Sequence, residues 1–400
     1  MKKEVVLAFS GGLDTSFCVP YLVEKGYEVI TLFVDTGGVG VDERRYIEDR
    51  AMQLGAREHV TTAGGAAIWS QVVVPLIRGG SLYQGQYPLL CSDRYIIVEQ
   101  ALRLCASRSI TAFAHGCTGM GNDQVRFDLA IRALSDVEIV APIRDIQADH
   151  PNVRAYEQSY LEARGVVVRA KTSRYSVNAN LLGVTASGAE IDAFGAPGED
   201  TYSLTRPPSE WPREKLVARV RFAQGVPTHL DGEALAGDQM LRRLNAAFGA
   251  YGVGRGIYTG DTAIGLKGRI VFECPGIIAL LTAHRALEEA VLSAHQNTFK
   301  RAVADQWVSL VYKGFFFEPL KHDLEAFLAS SQRFVTGEVT LETHGGICHA
   351  TSIASDHLLI DRKAIYAQSA DWGAREAEGF IRLFGQSSTL SARINPIDRL

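Results

Sequence analysis

No run of five or six basic residues interrupts this chain of 400 residues, and its formal net charge is −4. A protein that grips a phosphate backbone needs a basic stripe, so no nucleic-acid partner is expected. No apolar stretch approaches the roughly 18 residues that suggest a membrane-spanning helix, so no membrane span is expected either. The basic start at Lys2 and Lys3 imitates a secretion signal, but the apolar run behind it stops at Ser10-Gly11-Gly12. That run of about five residues is shorter than the usual 7–15 and reads as a buried strand. The cysteines (Cys18, Cys91, Cys105, Cys117, Cys274 and Cys348) form no C-x-x-C pair. Their scatter fits free thiols in a reducing cytoplasm. Two nucleotide signatures are also missing. No lysine lies between Lys3 and Lys25, as a Walker A loop would need, and the adjacent Gly11-Gly12 pair is not a G-x-G-x-x-G fingerprint.

What remains is ordinary globular composition, 46% apolar and 22% charged, which excludes wholesale disorder. The length suggests two or three domains. Over the first 145 residues, apolar runs at 5–9, 28–34, 58–62, 111–115 and 138–142 alternate with helical patterns at 17–25, 42–54 and 93–108. Gly26 and Gly55 close the first two helices. Buried strands alternating with helices imply an α/β fold with a doubly wound parallel sheet of about five strands. Ligands of such a sheet bind beyond the carboxyl ends of the strands. Four segments should therefore converge on one crevice: 10–16, 35–40, 116–123 and Arg144-Asp145. Residues 171–212 read as loop. An α+β domain follows, with a strand at 215–222, a helix at 237–249 and a broken strand at 262–272. Helices at 277–296, 300–312 and 320–334 lead to a hairpin at 338–353. A terminal helix at 372–384 runs into a polar extension, making a C-terminal helical arm. The expected division is 1–168 for nucleotide, 169–363 for a second substrate domain and 364–400 for the arm. His344, Cys348 and His349 have the wrong spacing for zinc and read as a glycine-rich hairpin turn.

Ser10-Gly11-Gly12-Leu13-Asp14-Thr15-Ser16 lies between a strand and a helix. Adjacent glycines let the backbone aim several N–H groups at one point, and the helix adds its positive end. Ser10, Thr15 and Ser16 supply hydroxyls, and Asp14 suits a magnesium ion held mainly by phosphates. The plain alternative is a strand-to-helix turn with a serine cap. A loop that grips the terminal two phosphates favours cleavage between α and β, so that a nucleophile takes AMP while pyrophosphate leaves. In the second segment, His115 to Phe127, glycines at 116, 119 and 121 permit close approach of the backbone. Asn122 and Arg126 share a helix face. Arg126 suits a carboxylate and Asp123 an amino group, which is equipment for an amino-acid zwitterion. A structural Asp–Arg pair capping its own helix is the competing reading.

These two segments together resemble the argininosuccinate synthase family of N-type ATP pyrophosphatases. Further matches are Tyr83-Gln84-Gly85-Gln86-Tyr87, Arg174 to Leu182, Tyr251-Gly252-Val253-Gly254-Arg255 and 377–384. The resemblance implies an adenine nucleotide α-hydrolase-like domain, ATP and Mg2+ as cofactors, and citrulline and aspartate as substrates. The ureido oxygen of citrulline attacks the α-phosphate, and aspartate then displaces AMP to give argininosuccinate. ATP would be held by Ala8, Phe9, Ser10, Gly11, Gly12, Leu13, Asp14, Thr15 and Ser16, with Val34 and Gly116. Thr118, Asn122 and Asp123 would bind aspartate. Citrulline would meet Tyr87, Ser92, Asn122, Arg126, Ser176 and Thr185. Asp14, Asp123 and Arg126 carry the chemistry on this reading, and no resident protein-bound metal is implied. A homotetramer whose C-terminal helices reach into neighbours is the family expectation.

The chain departs from the family pattern at several places. Gly260 and Phe272 stand where the family generally has a Glu and a Tyr contacting citrulline; Asp261 is adjacent and Phe272 cannot hydrogen-bond. Asp93-Arg94-Tyr95 replaces an Arg-Pro pair, and Asp35-Thr36-Gly37-Gly38 also differs. A paralogue acting on a citrulline-like ureido compound is therefore the nearest rival. A tRNA thiolase would need paired cysteines and a basic surface, and a nucleotide-binding regulator would not need the segment from Thr118 to Arg126.

Overall fold

The computed structural model describes residues 3–167, 175–361, 363–366 and 368–395. The expected join at 168/169, Arg174 of the quoted motif, and the end of the polar extension lie outside the described residues. Residues up to His357 form one compact unit and those from Leu358 a second.

In the first unit, strands β1 (Lys3–Ala8), β2 (Tyr27–Asp35), β3 (Glu58–Ala63), β4 (Ala112–Ala114) and β5 (Glu138–Val140) form a sheet. The order is β3-β2-β1-β4-β5, all parallel. The chain steps to one side of β1 for β2 and to the other for β4, so the topological switch falls at the carboxyl ends of β1 and β4. Helices α1 (Leu13–Glu24), α2 (Val41–Gln53), α3 (Asp93–Arg108), α4 (Asn122–Leu134), α5 (Pro142–Gln147) and α6 (Val153–Glu162) cover the faces. Val5, Leu7, Phe17, Leu22, Ile47 and Leu161 are buried together on one face. Each such side chain contributes about 1.5–3 kcal/mol relative to exposure. Phe17 stacks edge-on against Tyr156 and Tyr160 of α6, which fixes the start of α1.

The helix expected at 17–25 starts earlier, at Leu13, because Gly12 in extended backbone already serves as its N-cap. The strand expected at 138–142 is shorter, since Pro142 opens α5. Sequence reading passed over α6, as well as the helical turns from Gly65 to Gly79.

Two antiparallel sheets build the remainder of this unit. One contains β6 (Ser176–Asn180), β7 (Gly183–Ser187), β11 (Arg255–Asp261) and β12 (Lys267–Glu273). Residues 171–212 are thus not simply loop: β6 and β7 form a hairpin inside them. The broken strand expected at 262–272 is the second arm of another hairpin, whose turn closes where Thr262 N–H donates to Leu266 O at 2.9 Å. The other sheet joins β8 (Leu216–Ala223), β9 (Val226–Leu230), β10 (Glu233–Ala234), β13 (Gly337–Gly345) and β14 (Ile347–Ala354). Residues His344 to His349 make the β13–β14 turn, as expected. Helices α7 (Gly237–Gly249), α8 (Pro275–Val291), α9 (Ala294–Lys313) and α10 (Pro319–Ser331) complete it. The helix expected at 277–296 divides after Val291, because Ser293 and Gln296 form a capping box that starts α9.

The second unit holds α11 (Ala374–Ile394), ten residues longer than the expected 372–384 at its carboxyl end. Phe380, Ile381, Leu383, Phe384 and Leu390 are exposed on it. No described helix is long and apolar enough to cross a membrane.

The first sheet is locked to β6 at Gly38. A Cβ there would lie 2.1 Å from Ala179 O and 2.5 Å from Asn180 N, both backbone atoms. Gly38→Ala should therefore lower the unfolding free energy by about 3 kcal/mol, as overpacking does, read as a lower urea midpoint. An unchanged midpoint would show that the junction yields.

Candidate active site

The loop after β1 turns on Gly11, whose φ of +74° is left-handed, with the Ile47 side chain 3.1 Å from where its Cβ would sit. A side chain there would be strained and crowded. No side chain caps α1 at Gly12, so the first amides of the helix face outward without a protein acceptor from the cap residue. Inside the loop, Ser10 N–H reaches Thr15 Oγ1 at 3.3 Å and Gly12 N–H reaches Ser10 Oγ at 3.4 Å. These long contacts leave donors that an anion could engage more strongly. Ala8, Phe9, Leu13 and Ser16 are buried and can contribute backbone only, while Ser10, Gly11, Gly12, Asp14 and Thr15 line the open side. Arg50, buried on α2, donates to Ser16 Oγ at 3.4 Å, placing a cation behind the loop. Val34 is buried near the end of β2 against Gly64.

Gly116, at the end of β4, faces this loop. A Cβ on it would stand 3.1 Å from Thr15 Cγ2 and 3.3 Å from Thr15 N. The two switch-point loops thus touch, and glycine permits the approach. His115 anchors the second loop. Cys117 N–H donates to His115 Nδ1 at 3.2 Å, so the proton sits on Nε2 and points at Asp128 Oδ1, 2.9 Å away. Arg144 holds the same carboxylate at 2.8 Å, which brings the segment after β5 into the arrangement. The segment 35–40 is tied to the second half of the chain: Thr36 O accepts from Leu181 N–H at 2.8 Å and Gly37 O from Arg242 at 2.8 Å.

Helix α4 carries Asn122, Asp123 and Arg126 on its first turns, with Thr118 partly exposed just before it. Asp123 and Arg126 do pair, Nη1 to Oδ1 at 2.7 Å, so the structural Asp–Arg contact exists. Arg126 Nε donates to Tyr312 O at 3.0 Å, and its guanidinium lies 4.8 Å from the Tyr312 ring centre. Among the described residues these bonds engage Nε and Nη1. Asn122 Oδ1 accepts from Ala263 N–H at 2.9 Å. Burial pushes the Asp123 carboxyl up, but the Arg94 and Arg126 guanidiniums outweigh it and hold it at about 2.

An aromatic cluster connects α4 with the four-stranded sheet. Tyr312 stacks on Tyr83 at 3.6 Å, and Tyr87 meets Tyr312, Tyr258 and Phe272 at 5.9, 5.6 and 5.8 Å. Phe272 pairs across the sheet with Thr185, and Asn178 with Thr185 in turn, so Ser176, Thr185 and Phe272 share one face. Ser176 is exposed and Thr185 buried there. Tyr87 and Ser92 are buried, and the Ser92 hydroxyl donates to Leu89 O at 2.8 Å.

Side chains of the neighbours occupy the space beside Gly260: a Cβ would lie 2.2 Å from Gln84 Oε1 and 2.5 Å from the Tyr258 hydroxyl, so both would have to shift. Tyr258 donates to Gln84 Oε1 at 2.8 Å, and Gln84 donates to Asp261 Oδ2 at 2.8 Å. The Asp261 carboxylate, adjacent to the missing glutamate, is thus engaged by Gln84 and also by Lys267. Sequence reading missed Gln84, Arg94, Tyr258 and Tyr312. Their signal was weak because each lies on an element whose partner is remote in the chain.

It also missed Glu157. This residue is fully buried with its carboxyl against that of Asp14, a contact that becomes a hydrogen bond only when one of the two carries a proton. Burial, then the neighbouring Asp14, pushes its carboxyl well above the usual range; burial raises Asp14 too, offset in part by Arg154. Such a group binds its proton more tightly folded than unfolded. Stability is then full below the ordinary carboxylate pKa and falls as the pH rises from about 5 toward about 9. Glu157→Gln should flatten that fall in the ligand-free protein, by several degrees of melting temperature at about 2–4 °C per kcal/mol. A variant whose melting curve parallels the parent across this range would clear Glu157 of holding the proton.

A family model described as the arginosuccinate synthase N-terminal HUP domain matches residues 4–166, and one for the C-terminal domain matches residues 175–391. The argininosuccinate synthase of Xanthomonas campestris pv. campestris is 62% identical over 393 residues, covering 98% of this chain and 99% of that one. The enzyme from Xylella fastidiosa is 58% identical over 98% of both chains. That of Methanocaldococcus jannaschii is 34% identical, again over 98% of both. With both domains matched and relatives aligned end to end, the chain belongs to the argininosuccinate synthase family.

Proposed function

We infer that the chain is an ATP-dependent C–N ligase that joins citrulline and aspartate to give argininosuccinate, AMP and pyrophosphate. This places it in arginine biosynthesis and at the corresponding step of the urea cycle. The observation that carries the reading is the contact of Gly116 with Thr15, at 3.1 Å from the would-be Cβ, which sets an uncapped helix N-terminus beside the start of α4. That proximity supports reading a polyphosphate site and a zwitterion site as neighbours.

The ureido oxygen of citrulline attacks the α-phosphorus, the bond to the bridging oxygen of the β-phosphate breaks, and pyrophosphate leaves. The aspartate amine then attacks the activated ureido carbon, and the C–O bond breaks to release AMP. The loop Ala8 to Ser16, with Val34 and Gly116, holds the nucleotide. Its main-chain amides and the dipole of α1 stabilise charge on the leaving pyrophosphate. Asp14 offers a hard oxygen beside the loop, the donor that Mg2+ prefers, and a bound Mg2+ supplies charge neutralisation on the phosphates. Thr118, Asn122 and Asp123 bind aspartate. Tyr87, Ser92, Asn122, Arg126, Ser176 and Thr185 bind citrulline, Arg126 through its carboxylate. No side chain acts as a covalent nucleophile, and the rate comes from positioning and from electrostatics.

On this reading residues 1–168 are the nucleotide domain, 169–363 the synthetase domain, and 364–400 an oligomerisation arm. The exposed apolar residues of α11 support a homotetramer, and the free cysteines support a cytoplasmic setting. A citrulline-like ureido compound is the second candidate acceptor. It is favoured by Gly260, which offers no carboxylate and whose space Gln84 and Tyr258 occupy, and by Phe272, which lacks a hydroxyl.

ATP, citrulline and aspartate together should yield AMP and pyrophosphate; ADP and orthophosphate would discard the mechanism. A panel of ureido compounds in the same assay separates the two acceptors. Arg126→Ala should raise the citrulline KM about 30-fold or more, from loss of about 2–4 kcal/mol; an unchanged KM would remove Arg126 from the site. Asp14→Ala should slow exchange of pyrophosphate into ATP, and intact exchange would contradict its role.

A further inference from the structure

Two guanidiniums, not one, hold Asp123. Arg94, in the first turn of α3, donates to Asp123 Oδ2 from Nε at 3.1 Å and from Nη2 at 2.8 Å. Arg126 takes the other oxygen, Oδ1, at 2.7 Å. The third nitrogen of Arg94, Nη1, donates to Asp93 Oδ1 at 2.5 Å. All three Arg94 nitrogens therefore meet protein carboxylates, and three of its five N–H donors are engaged there. Arg94 is 8% exposed, Asp93 4% and Arg126 3%, whereas a third of the Asp123 side chain stays accessible.

This arrangement has a physical logic. An Asp–Arg pair three residues apart on one helix leaves the carboxylate free to swing about its own side-chain torsions. A fork from a second helix, closing on the opposite oxygen, removes that freedom. Burying the Arg94 charge is costly unless it is paired, and its two carboxylate partners meet that requirement. In charge, Asp93, Arg94, Asp123 and Arg126 sum to zero, so the group as a whole does not repel a second carboxylate. Without Arg94 the same group would carry one net negative charge.

We propose that Arg94 is a positioning residue of the amine-donor site, fixing the Asp123 carboxylate in the orientation that receives the amino group of aspartate. The proposal rests on the reading of Asp123 as the partner of that amine. Asp123, with both oxygens on guanidiniums and its carboxyl held at about 2, accepts a hydrogen bond from the amine and does not carry its proton away. Arg94 acts through Asp123 and touches no substrate.

Steady-state kinetics of the full-length enzyme, with each substrate varied in turn, tests this. Arg94→Met should raise the aspartate KM about ten-fold, the effect of losing a charged hydrogen-bond partner, while kcat changes less than about three-fold. Citrulline-dependent exchange of pyrophosphate into ATP, which needs no aspartate, should change less than about three-fold. Arg94→Lys, which keeps the charge but loses the fork, should restore part of the aspartate KM. An unmoved aspartate KM, or a loss of kcat with KM unchanged, would overturn the proposal. Should Arg94→Met fail to fold, Arg94→Lys is compared in the parent and in Asp123→Asn. Its effect on aspartate KM should vanish in the second background, and persistence there would overturn the proposal. Asp123→Asn with a normal aspartate KM would strike the reading of Asp123 itself, a separate failure.

Discussion

The close approach of Gly116 to Thr15 is the constraint on which the site depends. A parallel sheet in which β1 lies between β2 and β4 brings the carboxyl ends of β1 and β4 side by side. Only there can two loops from distant parts of the chain meet at the start of two helices. A Cβ at position 116 would stand 3.1 Å from the Thr15 methyl, so the contact is tight even without a side chain. Everything further along α4 inherits its place from this contact. Asn122, Asp123 and Arg126 are held near the loop because the chain has room for no more than seven or so residues between the strand and the helix.

Electrostatics then decides how the charged groups behave. Arg126 is buried, and its guanidinium is shared among a carboxylate, a backbone carbonyl and the face of Tyr312. Such a cation is weakly hydrated and already oriented by its partners. Glu157 and Asp14 present the opposite situation, two acidic groups close together with burial opposing ionisation. The first unit thus holds a neutralised Asp–Arg chain on α3 and α4 and an acid pair between α1 and α6.

Much of the nucleotide half was legible. Its strands are short apolar runs closed by glycine or by polar loops, and its helices have clear periodicity, so each element declares itself locally. The second half was less so. The strand β6 reads Ser-Val-Asn-Ala-Asn, a short alternation with only two apolar residues, of which Val177 is exposed, and pairing with β7 makes it a strand. Of the hairpin of β11 and β12 only the second arm was read, with its turn, as a broken strand at 262–272; β11 was missed because Arg255 to Asp261 mixes glycine with polar residues. Apolar periodicity continues across the break after Val291, and the capping box at Ser293 that ends it is a local signal that periodicity overrode.

The loop from Ser10 to Ser16 and the turn at His115 to Phe127 were determined by sequence alone, since both consist of contiguous residues whose backbone freedom and charge are intrinsic. What the tertiary structure decided is which side chains from separate elements share a partner. Gln84 fills the space beside Gly260, Tyr312 covers Arg126, Arg94 closes on Asp123, and Glu157 lies beside Asp14. Each of these pairs joins residues at least about 30 positions apart, at distances set by the packing of helices and sheets. No local pattern encodes such a distance, because it follows from how every intervening element is packed.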